Sequence, residues 1–576
     1  MSGLSVWLFF GIFYRHHLHY QEQIQLFLTT ADYLTELISR PGGFAIYLGR
    51  FFTQFFYDSI AGAFILAVLL ILLQRLVLDS VNYIARKPAY ILLTCIPSLL
   101  FALLFFNEDT MLSGLIALII SLTLVAVYNR TRKETIRNIT LLLMIPALYW
   151  LIGITSVTFF LLASLAEWIR GGSKKKWFIL SVVSTLIILS LPYIAKIIVF
   201  QYPIERFWMA GDFFRFVSMN NLSSLYICLS SFLIALLIKY LPEPTKKKSL
   251  LTCEAFLFTL IVIITYLGIN RFADWKKEEV MAYDYYARNQ KWNNILAMAD
   301  RKSPDGPLTV AALNLALSKT GYMPDYMFSY FQNGTDGLIL RFQKDYIVCV
   351  IGNEIYYHLG MINTAQRFVF EGMEAIPDFQ KSVRCIKRLV ETNIINGQYE
   401  IAWKYLNILK KTLFYRTWAT EAMTYLGDEK RINEHPEWGK LRAYSFKEDF
   451  FFRENEKDMM MGLLYQNNTE NRMAYEYLLA YTLLKKDMQH FLSYYKMGEE
   501  TIQYKVIPKS YQEALLYIWG AANNDFNTIP YPINNETKNN VHAYQQIYIS
   551  SQNAEPMLKN QYADTYWYYF HYRKTN

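Results

Sequence analysis

TSVTFFLLASLAEWIRGGSKKKWFILSVVSTLIILSLPYIAKIIVF, residues 155–200, decides the fold. Two apolar runs flank the turn Arg170-Gly171-Gly172-Ser173-Lys174-Lys175-Lys176. A helix needs about 20 mostly apolar residues to cross a bilayer, and 177–200 supplies them. The glycines and cations between the runs belong in water. Short loops rich in Lys and Arg stay on the cytoplasmic side, so this turn marks the inside.

Working outward, the same pattern repeats. Apolar stretches occupy 4–14, 56–78, 89–106, 110–128, 139–152, 155–169, 177–200, 222–241 and 250–270. The even-numbered ones lead into Arg86-Lys87, then Arg130, Arg132, Lys133 and Arg137, then the turn above, then Lys246-Lys247-Lys248. The intervening short loops at 107–110 and 153–154 carry no Lys or Arg. The alternation predicts nine spans, with the N-terminus inside and everything after about residue 271 outside. Two domains follow: a bundle at 1–270 and an extracytoplasmic unit at 271–576. The 4–14 stretch is too short to cross alone, so either the true start lies further upstream or the span borrows polar residues up to Tyr20. With no small-residue cleavage site after it, it is expected to be an anchor. For 139–169, Pro146, Gly153 and two basic flanks predict a hairpin rather than one long helix.

The 576 residues are 53% hydrophobic and carry a net charge of +9. Much of that excess lies in the inside loops, where it orients the chain and meets anionic lipid, so nucleic acid is not an expected partner. Five cysteines make no disulfide framework. Cys95, Cys228 and Cys253 fall inside apolar stretches, and Cys349 and Cys385 read as buried thiols. Asp58, Glu167, Lys196 and Glu254 lie within about two turns of a span end, where their side chains reach the interface. That distribution speaks against a transporter.

The outer loops carry the candidate chemistry. The first, 15–55, holds His16, His17, His19, Glu22, Asp32, Glu36, Arg40 and Arg50, with two expected interfacial helices near 25–37 and 44–56. The second is Asn107-Glu108-Asp109-Thr110. A later one, 201–221, mixes Glu205, Arg206, Trp208, Asp212 and Arg215 with aromatics. In layout this resembles the glycosyltransferase-C superfamily of membrane enzymes that use polyprenyl-phosphate sugar donors. The shared features are a long first outer loop of interfacial helices, an acid soon after the first span, an acid pair in the second outer loop and an outer C-terminal domain.

The resemblance implies that Glu22, Glu108 and Asp109 are catalytic, one as base and others holding a divalent metal or the donor phosphate's counter-charge. It makes Arg206, Arg215, His16 and His17 substrate-binding residues, the arginines clamping the lipid phosphate. No Asp-x-Asp or Glu-x-Asp stands in the first loop, so the likeness is one of layout. The plainer alternatives are that Glu108-Asp109 cap a helix starting near Thr110 and that the arginines anchor at the headgroups. The chain also resembles a family of bacterial inner-membrane proteins of unknown function.

From Trp275 the pattern changes to helical hairpins. Ile355–365 around Gly360, 393–402 around Gly397 and 314–322 around Gly321 resemble tetratricopeptide repeats, spaced near that repeat's period. Gln290-Lys291-Trp292 and 485–490 look like degenerate copies. Such an α-solenoid would bury one core and offer a concave face to a protein partner. The expectation is therefore an all-α chain, a helical membrane bundle followed by a tetratricopeptide-like solenoid, acting as a lipid-linked glycosyltransferase-like enzyme. The alternative is a membrane-anchored scaffold for envelope assembly or secretion.

Overall fold

The computed structural model describes residues 3–171, 173–199, 201–208, 210, 215, 223–377, 380–446, 456–523 and 525–573. Among them the chain is helical, with no β-strand. It folds into two compact units. The first comprises Met1–Glu278 with Ile376–Arg384 and Ile408–Trp418, and the second comprises Glu279–Ala375, Cys385–Asn407 and Ala419–Asn576.

Among the described residues of the first unit, five helical stretches are long and apolar enough to cross a membrane: Ser59–Ile84, Ser113–Arg130, Glu134–Arg170, Lys174–Val199 and Lys247–Phe272. Nine were expected. Gly3–Phe13, Pro88–Leu104 and Tyr226–Tyr240 are apolar but shorter. The shortfall has local causes. The first breaks into the helix Gly3–Leu8 and a π-helical turn, Phe9–Phe13. Pro88 and Pro97 divide the third stretch into a 3-10 segment, Pro88–Cys95, and the helix Ile96–Leu104.

Glu134–Arg170 is folded back on itself, as Gly153 predicts. Arg137 Nε meets Glu167 Oε1 at 2.6 Å, whereas a straight helix would hold residues that far apart in sequence about 45 Å from each other. The reversal falls at Gly153, whose φ of 66° is one that residues with a Cβ rarely adopt. Lys174–Val199 and Lys247–Phe272 leave large apolar side chains bare, with Ile197 79% and Phe256 66% exposed. A continuous apolar exterior of this kind suits lipid and not water.

The loops gather into two sets. In one, Lys87 Nζ donates to the carbonyls of Lys239 and Leu241, Arg170 bonds the Tyr83 hydroxyl and the Asn129 carbonyl, and Arg137 and Arg170 share Glu167. In the other, Gly42 N–H donates to the Trp150 carbonyl, Trp150 Nε1 to the Ile38 carbonyl and Ile154 N–H to the Ala210 carbonyl. Ser59–Ile84, about 39 Å long at 1.5 Å per residue, starts in the second set and ends in the first. The predicted inside loops thus share one end of the helices, and the predicted outer loops share the other.

Besides the helix Arg15–Gln23, the first outer loop forms the two helices expected in it, as Ala31–Ile38 and Gly43–Thr53. Ala31–Ile38 is shorter than expected because Leu26 and Thr29 N–H groups bond the carbonyls of Lys381 and Lys411 instead of each other's turn, and Thr30 caps the helix at Tyr33 N–H. Gly43–Thr53 crosses Ser113–Arg130 at Gly49, where a Cβ would stand 2.6 Å from Ser113 Cα. Backbone cannot yield as a side chain can. Gly49→Val is expected to destabilise the protein by about 3 kcal/mol, read as a lowered melting temperature and lost monodispersity in detergent.

The second unit consists of helices joined by tight turns. Gln290, Gly321, Gly360, Gly397 and Lys486 all take positive φ, at the five turns expected from sequence. Tyr346–Leu359 pairs with Ile362–Glu374, and Val383–Ile395 is followed by Tyr399–Leu409. The hairpin expected around Gly321 fails: after Pro307–Lys319 only the single turn Met323–Tyr326 forms before a 3-10 segment. Asn314 Nδ2 bonds Gln332 Oε1 and the Gly337 carbonyl, holding irregular chain where a second helix would lie. The cysteines are free, with Cys349 and Cys385 buried as predicted. Most of the tyrosines pack. Tyr566 and Tyr569, for example, are buried and donate to the carbonyls of Leu483 and Leu484.

Candidate functional site

The helix Arg15–Gln23 begins directly after the first apolar segment. Its first-turn N–H groups have no partner within the helix. Those of His16 and His17 donate to the two oxygens of Glu278, at 2.8 and 2.9 Å. Burial pushes the Glu278 carboxyl up to about 8, opposed by those two N–H groups and by Arg15. His17 moves the other way. Burial lowers its imidazole to about 4, Glu108 resists, and Arg215 and Lys277 add to the fall. Its ring packs on Tyr14 and Phe105, and its Nε2 has no hydrogen-bond partner among the described residues.

These shifts give a pH dependence whose sign can be worked out. A carboxyl raised in the folded state contributes stability that is complete below its unfolded value and lost as pH rises through the folded value. Between about pH 7.5 and 8.5 the lowered histidines are neutral in the folded state and nearly so in the unfolded one, whose ordinary value is near 6.5. Raised carboxyls, Glu278 among them, then set the slope. The melting temperature is expected to fall across that window, and Glu278→Gln to flatten the fall. An unchanged slope in the variant would rule Glu278 out as a source.

Glu108 and Asp109 sit in the turn before Ser113–Arg130. That helix starts at Ser113, so neither acid caps it, and the capping alternative fails. Their carboxylates instead hold cations. Asp109 Oδ1 lies 3.4 Å from Arg215 Nε, and Glu108 pairs with Lys277. The Arg215 backbone N–H donates to the Asp109 carbonyl at 2.7 Å, and its Nη2 to the Glu108 carbonyl at 3.3 Å. Gln21 Nε2, from the first-loop helix, reaches the Glu108 and Thr110 carbonyls at 2.5 and 3.2 Å.

Glu22, 3% exposed, accepts from the Tyr415 hydroxyl at 3.1 and 3.4 Å. Its neighbour Gln23 accepts from Arg384 Nη1 at 3.2 Å. Arg15 Nε donates to His16 Nε2, and the His16 and His19 rings stand 5.9 Å apart. Arg206 lies over the Tyr202 ring at 4.8 Å, the placement of an interface anchor. Asp212 lies outside the described residues. Among the described residues no three His, Cys, Asp or Glu side chains are placed to share a metal ion.

Sequence reasoning missed Gln21, Lys277, Glu278 and Tyr415. The run Gln21-Glu22-Gln23 just beyond a span was a usable signal, since amides so close to hydrocarbon need partners. Lys277 and Glu278, directly after the last span, were another. Tyr415 had none.

Helical throughout its described residues, with membrane-length apolar helices and a polar cluster where one set of their loops meets, the chain is of the polytopic membrane class. The chain belongs to the family of unknown function DUF6057, which matches residues 1–573. No curated protein and no solved structure matches it.

Proposed function

We propose that the protein is a membrane-embedded, glycosyltransferase-like enzyme that takes a polyprenyl-phosphate sugar donor at the outer face of the bacterial inner membrane. Convergence supports this reading. Residues singled out from separate outer loops meet in one unit, where Arg215 bonds Asp109 and the Glu108 backbone while Gln21, beside Glu22, bonds the same turn. A mere anchor has no use for this many buried polar groups, each costing about 1–3 kcal/mol when unmatched.

In this reading Arg215 and Lys277 receive the donor phosphate, exchanging their carboxylate partners for it, and Glu22 takes the acceptor's proton. The paired oxygens of a phosphate match a guanidinium fork as well as a carboxylate does. Titrating detergent-solubilised protein with a short-chain polyprenyl phosphate tests the first half. Arg215→Gln should weaken binding about tenfold, the worth of roughly one charge-assisted contact. Equal binding by the variant would count against the phosphate role.

Orientation is tested separately. A reporter fused after Arg271 should be active outside the cytoplasm, and one fused near Lys175 inside. The opposite result at Arg271 would sink the outer-face assignment.

One observation favours the scaffold reading instead. Glu22, Glu108 and Asp109 already have partners in Tyr415, Lys277 and Arg215, as structural residues would. In that reading the tetratricopeptide-like hairpins form a platform for a protein partner, Glu22 only holds Ile408–Trp418 against the first loop, and Glu108 and Asp109 only tie their turn to Lys277 and Arg215.

A further inference from the structure

The second unit contains a cavity of about 730 Å³, within the usual range for small-ligand sites. Lys319, His358, Glu437, Lys440, Arg472 and Glu476 all contribute to its wall. Lys319 ends the helix Pro307–Lys319, and His358 stands in the last turn of Tyr346–Leu359. Lys440 comes from Trp438–Tyr444, and Arg472 and Glu476 from the start of Arg472–Lys485. Four separate helices therefore aim ionisable groups at one space.

The charges there are only partly matched within the chain. Arg472 and Glu476 pair at 3.0 Å, and Glu437 accepts from Gln290. Among the described residues no carboxylate pairs with Lys319 or Lys440, and Lys440 Nζ stands 5.7 Å from the centre of the Tyr444 ring. Lys319 is exposed as a residue, but desolvation of its amine at the cavity wall, and then repulsion from Lys440, hold it below its ordinary value, with Glu437 opposing. His358 is 4% exposed, and its Nε2 has no hydrogen-bond partner among the described residues. Burial and the nearby Lys319 keep it neutral, lowered to about 3. A buried polar atom left in this state is costly, and a ligand that satisfies it recovers that cost.

The lining selects among ligand classes. A polyphosphate or nucleotide would meet the Glu437 and Glu476 carboxylates. An apolar molecule would leave Lys319, Lys440 and His358 unmatched. A small molecule bearing both signs matches the wall. We infer that this cavity binds a peptide-like zwitterion, its carboxylate received by Lys319 and Lys440 with His358 beside it and its ammonium turned toward Glu437 and Glu476. A free amino acid carries the same chemistry, but the volume has room for several residues. This inference stands apart from the transferase reading.

Protection of Lys319 from acetic anhydride, followed by peptide mass spectrometry on the full-length protein in detergent, tests it. Tri-alanine with free termini should slow acetylation of Lys319 at least fivefold at saturation. Tri-alanine amide, which lacks the carboxylate, and inorganic phosphate should protect little. Alanine should protect only at concentrations at least tenfold higher than tri-alanine. Lys440→Met, at an exposed residue of the cavity wall, should raise the half-protecting concentration of tri-alanine about tenfold. Equal protection by the amide or by phosphate would overturn the zwitterion assignment. Equal protection by alanine would overturn the peptide assignment. No protection by tri-alanine, or a Lys319 that never reacts, would overturn the site.

Discussion

Replacing Arg388 with methionine is expected to destabilise the protein by about 3–5 kcal/mol. Arg388 Nη2 donates to Glu354 Oε2 at 2.7 Å, and its Nη1 meets Glu391 Oε2 at 2.8 Å. The guanidinium also lies 3.6 Å from the centre of the Tyr357 ring. The three charged side chains are only 11%, 2% and 13% exposed, so solvent does little to screen them. Burial opposes charge on Arg388, yet Glu354 and Glu391 outweigh it and hold its pKa above the ordinary value. Burial wins at Glu391, whose carboxyl is raised although Arg388 and Lys387 pull it down. Without the arginine, two carboxylates are left in a site that cannot hydrate them. Methionine keeps much of the volume, so a loss comes from charge rather than from a void.

The same logic fixes two controls. As pH falls the stranded carboxyls protonate, and the variant's deficit in melting temperature should narrow. Adding Glu354→Gln and Glu391→Gln to Arg388→Met should recover much of the loss, because a site with no charges has none to desolvate. A variant that melts with the wild type at pH 7.5 would mean that water reaches this site.

Much of the helical content, and the grouping of the loops, could be read from the chain, because both rest on local rules. Apolar runs make helices that bury or meet lipid. Clusters such as 170–176 and 130–137 mark where those helices stop, and the contacts of Arg137 and Arg170 bring those clusters together. Gly360 and Gly397 announced their turns because the left-handed conformation is cheap only without a Cβ. Span number was read less well. Counting apolar residues overlooks Pro88 and Pro97, which shorten a helix without lowering its hydropathy. The membership of Ile376–Arg384 and Ile408–Trp418 in the first unit had no sequence signal at all. They join it through backbone bonds such as Leu26 to Lys381, which any residue can make. The candidate site was legible in its acids, whose loop positions are a matter of topology. Its partners Lys277 and Tyr415 were not, because pairing over long sequence separations depends on tertiary packing.

Glu22→Gln separates the enzyme reading from the scaffold reading. In the enzyme reading Glu22 is a general base, and an amide cannot take a proton. General-base assistance is worth about 10²–10⁴-fold, so the substitution should abolish most activity while fold and membrane insertion persist. In the scaffold reading Glu22 matters because it accepts the Tyr415 hydroxyl at 3.1 Å and so helps hold Ile408–Trp418. Glutamine still offers that hydroxyl an oxygen, so little should change. Tyr415→Phe gives the reciprocal control. It removes the hydroxyl and leaves the carboxylate, so it should be nearly silent for a base but more harmful than Glu22→Gln for a tether. Asp109→Asn adds the phosphate side of the site, since it frees Arg215 from its anion without changing size. The measurement is complementation of a deletion strain, normalised to protein level in the membrane and read with the surface-glycan profile. Loss of complementation by Glu22→Gln with Tyr415→Phe intact supports the base. Full complementation by Glu22→Gln/Asp109→Asn, with wild-type glycans, would discard the transferase and leave the platform.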